Sequence, residues 1–497
     1  MRNLKKILAL ALALVMTLSL MTVANATSFK DDADISDAYS EAVTVLSNLK
    51  VFQGVNDGSN FAPKQTISRG EVAAIIYRIV TGDVTNANIA QHAAYAETAF
   101  ADVKATDWDA GYIGYCANAQ IIVGDGTNFY PRQSVTGYQA LAMILRAIGY
   151  DANDEFQGNG WEIRTASTAQ QLGLLKNIGA SSLNGAATRE MVAEILFRTI
   201  AEAYVVKYTS AFGYQPVYLP TSGNNTTGSV SLPLFGSYTA ATLGYQTFKL
   251  EKTSGEITAV GRTAGTTTFG QWETTGTGAT ATTSFDANEV TVTGTSTPWT
   301  DIGYGAYVYT VPASGTKTRT AVSDVVITGE SLGDTTEGTS AWSNLYTAGN
   351  ADFIATRDDD FNVYYNGVLV YTDGTSAGWV NYATGTAGAA AVAAAKQWIE
   401  YPTDAIGRGV KVDFIDNDDG GRAEAIVLTE YTVAQVGAIT TADSTTGVQG
   451  ITETTTYLWN GNSYVGAKAS ALVTSASLAV GDWVTYVEYA NDYYVTE

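Results

Sequence analysis

The sequence predicts a multidomain α + β protein: an N-terminal helical three-repeat region followed by all-β, sandwich-like or barrel-like domains. Three observations carry that prediction. A capped helix start occurs three times in the first 200 residues. A stretch rich in Pro, Asn and Thr follows it. Beyond that, Thr, Gly, Val and Tyr dominate, with apolar residues at period two. The length fits roughly two to four domains. The expected boundaries are a signal peptide at 1–26 and repeats over 27–205, with units at about 37–82, 100–150 and 155–205. A linker at 206–235, one or more β domains at 236–430 and a small β domain at 431–497 complete the chain.

Arg2, Lys5 and Lys6 precede an apolar run from Ile7 to Val23, and Ala24-Asn25-Ala26 is a small-x-small cleavage site. That pattern predicts a secretory signal peptide and an exported mature chain. No later segment is apolar enough to span a bilayer as a helix. The formal net charge is −22, and loss of those three basic residues brings it to −25. Such an acidic chain is not expected to bind nucleic acid or anionic lipid. With only 15% charged residues, it also lacks the signature of charge-driven disorder.

The first helix start lies in Gly54–Arg78. Asp57-Gly58 marks a tight turn, Phe61 is an expected core anchor, and Ser68 with Glu71 forms a capping box ahead of Val72, Ile75, Ile76 and Val80. The second copy repeats Asp57, Gly58, Asn60, Phe61 and Pro63 as Asp125, Gly126, Asn128, Phe129 and Pro131. Its box is Thr136 with Gln139. The third copy starts its helix at Thr188 and lacks the turn-rich loop. Arg78, Arg146 and Arg198 lie ten residues beyond Ser68, Thr136 and Thr188. First helices are expected near Asp37, Trp108 and Trp161, with partly helical connector residues at 82–99.

Three capped helix starts, two behind a D-G-x-N-F-x-P loop, resemble the S-layer homology (SLH) domain over about Asp37 to Ile200, 164 of the 497 residues. The resemblance implies a pseudo-threefold bundle with grooves between its units. It implies that those grooves hold secondary cell-wall polysaccharide, often pyruvylated, and that the protein sits at the surface or wall of a bacterium. Self-assembly into a lattice is also part of what it implies.

The residues support an independent reading of the motif. A helix N-terminus offers unpaired N–H groups and partial positive charge, which suit a carboxylate, and a first-turn Arg adds a matching fork. Arg69 is therefore the first candidate for polysaccharide binding and Arg189 the second. Gly137 stands where the second copy would carry its Arg, so that groove is expected to be weak or empty. Unit three has Met191 in place of the closing acidic residue. Ser68, Glu71, Thr136, Gln139 and Thr188 are expected to be structural caps. Arg78, Arg146 and Arg198 are expected to form structural pairs or snorkel. Trp108 and Trp161 are candidates for stacking on sugar rings, and core packing accounts for them equally well.

Cys116 and His92 are each the only residue of their kind. That excludes an intrachain disulfide and multi-His zinc sites, and argues against Cys–His and Ser–His–Asp machinery. Cys116 reads as a buried inert thiol and His92 as a solvated connector residue. In the second half, Glu289–Thr293, Ala306–Val311, Phe361–Val370 and Trp483–Tyr489 read as strands. Asn366-Gly367 signals a hairpin, and Ala389–Ile399 a short helix. Asp416, Asp418 and Glu424 are candidate calcium ligands, although the loop departs from EF-hand spacing and an acidic hairpin turn is the reading to prefer. Asp358-Asp359-Asp360 carries the same pair of readings. Asn224-Asn225-Thr226-Thr227 offers N-x-T glycosylation acceptors.

Together these features favour a non-enzymatic surface protein, anchored without covalent attachment and associated with an S-layer, with no required cofactor. The alternatives are a wall-anchored adhesin or glycan-binding protein, and a wall-anchored glycoside hydrolase, for which no carboxylate pair stands out in the sequence.

Overall fold

The computed structural model describes residues 29–55, 57–220, 238–275, 282–313, 317–334, 357–372, 391, 393, 395, 409–443 and 452–496. The signal peptide, Asn224–Thr227 and the side chains of Asp358–Asp360 lie outside the described residues. The structure is α + β, with helices first and several sheets after them. It falls into two compact units. The first is Met1–Thr253 with Val308–Ala313 and Thr320–Asp324. The second is Ser254–Tyr307, Ser314–Arg319 and Val325–Glu497.

The helices of the first unit are α1 (Asp37–Asn48), α2 (Arg69–Thr81), α3 (Ala93–Ala99), α4 (Ala110–Asn118), α5 (Gly137–Ala147), α6 (Trp161–Gln171), α7 (Arg189–Glu202) and α8 (Leu243–Phe248). Capping fixes the starts of α2 and α5. Ser68 Oγ accepts from the Glu71 N–H at 3.3 Å and Glu71 accepts from the Ser68 N–H at 2.8 Å. Thr136 and Gln139 repeat both bonds. At α7, Thr188 accepts from the Met191 N–H with no returning side chain. Each cap contributes about 1 kcal/mol.

The residue before each cap is apolar and fully buried: Ile67, Val135 and Ala187. Their backbones close a ring. Ile67 N–H donates to Ala187 O at 3.0 Å, Ala187 N–H to Val135 O at 2.8 Å, and Val135 N–H to Ile67 O at 3.0 Å. Three segments distant in sequence thus satisfy one another's polar groups in the core, where an unpaired N–H would be costly. Phe61 and Phe129 are also fully buried.

Two expectations need correction in this unit. Residues 206–220, assigned to a linker, form β1 (Val206–Thr209), β2 (Gly213–Pro216) and β3 (Tyr218–Pro220). β1 pairs with β2, and β3 with β4 (Tyr238–Ala240). The second first-helix begins at Ala110, near Trp108 as expected. His92 is half-buried rather than solvated, its ring set against Tyr115 at 5.3 Å and Tyr77 at 6.3 Å. Cys116 is fully buried and burial pushes its thiol pKa up, which keeps it protonated and inert.

Strands β5 (Glu251–Gly261), β6 (Thr266–Thr275), β7 (Thr282–Thr293), β8 (Gly305–Pro312), β9 (Thr318–Ala321) and β10 (Val326–Ile327) form a sheet in the order β10-β8-β5-β6-β7-β9. A further β8–β9 pairing closes it on itself. Strands β11 (Glu330–Asp334), β12 (Arg357–Tyr365), β13 (Val368–Thr372), β14 (Val410–Asp416) and β15 (Ala423–Glu430) form a second sheet, ordered β11-β14-β15-β12-β13. Asn366 and Gly367 make the β12–β13 turn with φ of 46° and 76°, the conformation for which Asn-Gly is suited. The third sheet runs β18 (Tyr464–Lys468), β17 (Thr452–Trp459), β16 (Thr432–Asp443), β20 (Trp483–Tyr489), β21 (Asp492–Thr496), β19 (Leu472–Val473). Of Ala389–Ile399, residues 391, 393 and 395 are described, and all three are helical.

Bonds cross the boundary expected at 430/431. Arg262 pairs with Asp492 at 2.7 Å, and the Tyr489 hydroxyl donates to Val260 O while accepting from Val260 N–H. Among the described residues no helix is long and apolar enough to cross a membrane.

Candidate functional site

Arg69 is the first residue of α2, and its side chain leaves the helix toward the loop of the second repeat. Its Nε donates to Phe129 O at 2.7 Å and its Nη2 to Val123 O at 3.0 Å, with the guanidinium 4.5 Å from the Phe129 ring centroid. Arg189 repeats this at the start of α7. Its Nε donates to Phe61 O at 2.8 Å, its Nη2 to Gln53 O at 3.0 Å, and it lies over the rings of Phe52 and Phe61. Both arginines clasp the loop of another repeat, and each then borders a groove.

The first groove is a cavity of about 460 Å³ whose lining includes Arg69, Tyr130, Gln139, Arg146 and Trp161. It draws on all three repeats: the arginine from the first, the floor and Gln139 from the second, the indole from the third. Arg146 lines it while pairing with Asp151 at 2.5 Å and donating to Phe156 O at 3.2 Å. Its expected structural pair is therefore present, but the residue also faces the groove. Among the described residues Arg69 makes no ion pair and its Nη1 no hydrogen bond. Burial, and then the nearby Arg146 charge, hold its pKa below the ordinary value. Asp125 also lines this cavity and Arg146 is matched by Asp151, so the attraction for an anion rests on the Arg69 guanidinium.

The second groove is smaller, about 140 Å³, and is lined by corresponding positions: Arg189, Glu71, Arg78 and Trp108. One difference between them is electrostatic. Where the first groove has the neutral Gln139, the second has Glu71, whose Oε1 lies 3.7 Å from Arg189 Nη1. The capping carboxylate therefore also compensates the arginine. Trp108 is 55% exposed, so its indole is open to a ligand rather than to the core.

A third groove would be centred on Gly137. A Cβ there would stand 2.7 Å from Leu183 Cα and 2.7 Å from the Met191 methyl carbon. The space that an arginine stem would need is filled, because residues 180–184 form a 3₁₀ turn in place of the loop present in the first two repeats.

The expected role of free helix N–H groups is not what the structure shows. Arg69 N–H donates to Gln133 O, Gly70 N–H to Pro131 O, and the next two to Ser68. In α7, Arg189 N–H donates to Gln65 O and Glu190 N–H to Pro63 O. Packing of the repeats around the backbone ring consumes these donors, so the attraction for an anion rests on guanidinium groups.

Sequence reading missed the supports of the two loops. Asp31 accepts from Phe61 and Ala62 N–H at 2.8 and 2.7 Å, and Asp102 accepts from Phe129 and Tyr130 N–H at 2.8 and 2.7 Å. Phe29 and Phe100 pack on Phe61 and Phe129 at 5.5 and 5.3 Å. The recurrence of Phe-x-Asp at 29–31 and 100–102 was the available signal.

In the second unit, carboxylate oxygens of Asp416, Asp418 and Glu424 lie within 4.8 Å of one another in the β14–β15 turn. Asp416 accepts from the N–H groups of Asp418, Gly420 and Gly421, and Glu424 from that of Asn417, so the turn is largely satisfied from within. Glu424 Oε1 is buried without a hydrogen-bond partner. Glu424, Asp418, Glu256 and Trp272 border a cavity of about 680 Å³. Burial pushes the Glu256 pKa up to about 8 and that of Glu424 up to about 7, with carboxylate neighbours adding to both.

A family model for the S-layer homology domain matches residues 28–73 and 99–141. The Middle cell wall protein of Brevibacillus brevis is 31% identical over 194 residues, covering 38% of this chain and 17% of that protein. The Surface layer protein of Brevibacillus choshinensis is 28% identical over 212 residues, covering 42% and 18%. Exoglucanase XynX of Acetivibrio thermocellus is 28% identical over 179 residues, covering 33% and 16%. The chain spans less than a fifth of the length of each of these relatives. The chain thus carries S-layer homology domain sequence, and its place is outside the cell, at the wall or surface.

Proposed function

We propose that this protein holds itself to the wall without a covalent bond, by gripping an anionic secondary cell-wall polysaccharide in the groove between Arg69 and Trp161. The observation that carries the reading is that Arg69 makes no ion pair among the described residues and borders the cavity beside Gln139 rather than a capping carboxylate, with Arg146 held by Asp151 and the lining Asp125 held by Tyr130 and two backbone N–H groups. A carboxylate-bearing sugar, such as a pyruvylated one, would meet the free face of the Arg69 guanidinium while its ring lay against the indole. The closed backbone ring through Ile67, Val135 and Ala187 supports a pseudo-threefold bundle in which only two of three grooves are serviceable. The β-rich remainder is assigned a structural, non-catalytic role in or beside an S-layer lattice.

Anchoring of this kind needs no metal. A calcium ion at Asp416, Asp418 and Glu424 is proposed separately, as a stabiliser of the β14–β15 turn, with Glu424 Oε1 as the oxygen awaiting a partner. A rise in melting temperature with calcium that EGTA reverses, and that Glu424→Gln abolishes, would support it. An unchanged melt would remove it.

Co-sedimentation of the protein with purified walls tests the anchor, using intact walls and walls stripped of pyruvate or of the polysaccharide. Loss of binding on stripping is expected. Equal binding to stripped walls would sink the reading. A wall-anchored hydrolase is the second reading, favoured by Glu256 and Glu424 at one cavity. It requires polysaccharide hydrolysis that Glu256→Gln and Glu424→Gln abolish.

A further inference from the structure

We infer that the solvent face of the third sheet is a stacking platform for a neutral polysaccharide chain, separate from the anionic groove. Register places Tyr464, Trp459, Gln435 and Trp483 in one row across β18, β17, β16 and β20. Trp459 faces Tyr464 on one side and Gln435 on the other, and Gln435 faces Trp483. Their neighbours along the strands, Ala434, Val436, Leu458 and Val484, are buried in the core of this sheet. The row therefore lies on the opposite face. Trp483 is 64% exposed, Tyr464 59% and Trp459 36%.

Two glycines let aromatic rings come close against the backbone. A Cβ at Gly437 would stand 2.4 Å from the Tyr464 ring, and one at Gly466 would stand 3.3 Å from the ring of Tyr457, which is also exposed. The Tyr464 and Trp459 rings are 4.9 Å apart. With strands about 4.8 Å apart, the row extends about 14 Å, the reach of an oligosaccharide rather than of one sugar. Isolated exposed aromatics are ordinary, but four on one side of adjoining strands make a patch that calls for an occupant.

Charge complementarity selects the occupant. The row contains no ionisable group apart from the tyrosine phenol, so it offers no fixed charge to recruit an ionic ligand. Gln435 at its centre donates from Nε2 to Gly481 O at 3.0 Å, and its Oε1 can accept from a sugar hydroxyl, a donor that an apolar protein surface would not offer. Aromatic faces and a single amide suit the C–H faces and hydroxyls of an uncharged glycan.

The test uses the full chain and insoluble cellulose, xylan and chitin, which lack the carboxylate that the Arg69 groove is proposed to need. Wall binding is measured in parallel. Retention on at least one of these glycans is expected, with at least ten-fold weaker binding in Trp459→Ala/Trp483→Ala, near-normal binding in Trp459→Tyr/Trp483→Tyr, and no change in Arg69→Ala. Circular dichroism and melting curves identify any variant that fails to fold. No retention on any of the three glycans, or retention unchanged in a folded double alanine variant, would overturn the inference. Concentration-dependent self-association lost in that same variant would also overturn it, by giving the face to a second copy of the chain. Wall binding can fail or succeed independently of every one of these outcomes.

Discussion

Glu71 Oε1 lies 3.7 Å from Arg189 Nη1, while Gln139 occupies the corresponding place beside Arg69. The carboxylate of Glu71 is thus one difference between two grooves that share an arginine, a capping residue and a tryptophan at corresponding positions. Either residue closes a capping box, so the difference is electrostatic rather than structural.

Exchanging these two residues separates charge from fold. Gln139→Glu is expected to weaken binding to pyruvylated walls by roughly ten-fold, while Glu71→Gln strengthens the Arg189 groove. Each should leave stability within about 1 kcal/mol, since the box survives. Co-sedimentation and denaturant melts measure the two effects. Equal binding by both variants would remove the electrostatic account.

Removing the arginines has a double effect. Arg69→Ala loses the ligand's fork and two hydrogen bonds to Phe129 O and Val123 O, at a stability cost of about 1–3 kcal/mol. Wall binding is expected to fall by roughly ten- to hundred-fold, and more than for Arg189→Ala. Arg69→Lys should restore little, because an ammonium cannot serve two carbonyls and a carboxylate with the same geometry. Binding isotherms normalised to folded protein decide the order.

Gly137→Ala is expected to destabilise by about 1–3 kcal/mol, and Gly137→Arg to create no third groove. The added Cβ would press on the Leu183 backbone, which cannot step aside as a side-chain tip can. Thermal melts read the cost. A stable Gly137→Arg variant with increased wall binding would contradict this packing.

Stability should fall as pH rises from about 4.5 to about 8. Glu256 is 7% exposed, accepts from the Asn362 amide and the Tyr364 hydroxyl, and has its pKa raised from 4.5 to about 8. The native state keeps a proton that the unfolded chain releases, so the stabilisation is complete below pH 4.5. It is lost through the folded pKa, at a limiting rate of about 1.4 kcal/mol per pH unit. Glu424, raised to about 7, acts in the same direction. Glu256→Gln should flatten this dependence in pH-resolved denaturant melts, its amide able to donate to the otherwise unpartnered Asn362 Oδ1. An unaltered pH profile would show that this proton is not held.

Local chemistry was legible where it is local. Ser68 with Glu71 and Thr136 with Gln139 announce capping boxes within four residues, and Asn366-Gly367 announces a turn within two, because helix ends and tight turns answer to backbone sterics and short hydrogen bonds. Arg69, Arg189 and the unusual Gly137 could be singled out by repetition alone. What the repeats do to one another was not legible. Carbonyls of Gln133 and Pro131 take the N–H groups that the start of α2 would have offered an anion, and those of Gln65 and Pro63 do the same for α7. Leu183 fills the space at Gly137, Arg146 turns to the same cavity as Arg69, and Trp459 comes opposite Gln435. Each of these depends on bringing together segments that are distant in the chain. The sequence by itself determined the helix starts, the turns and the places where charge could be used. Tertiary packing decided which donors remained available and which first-turn arginine meets a carboxylate, because both are settled by neighbours that no local spacing specifies.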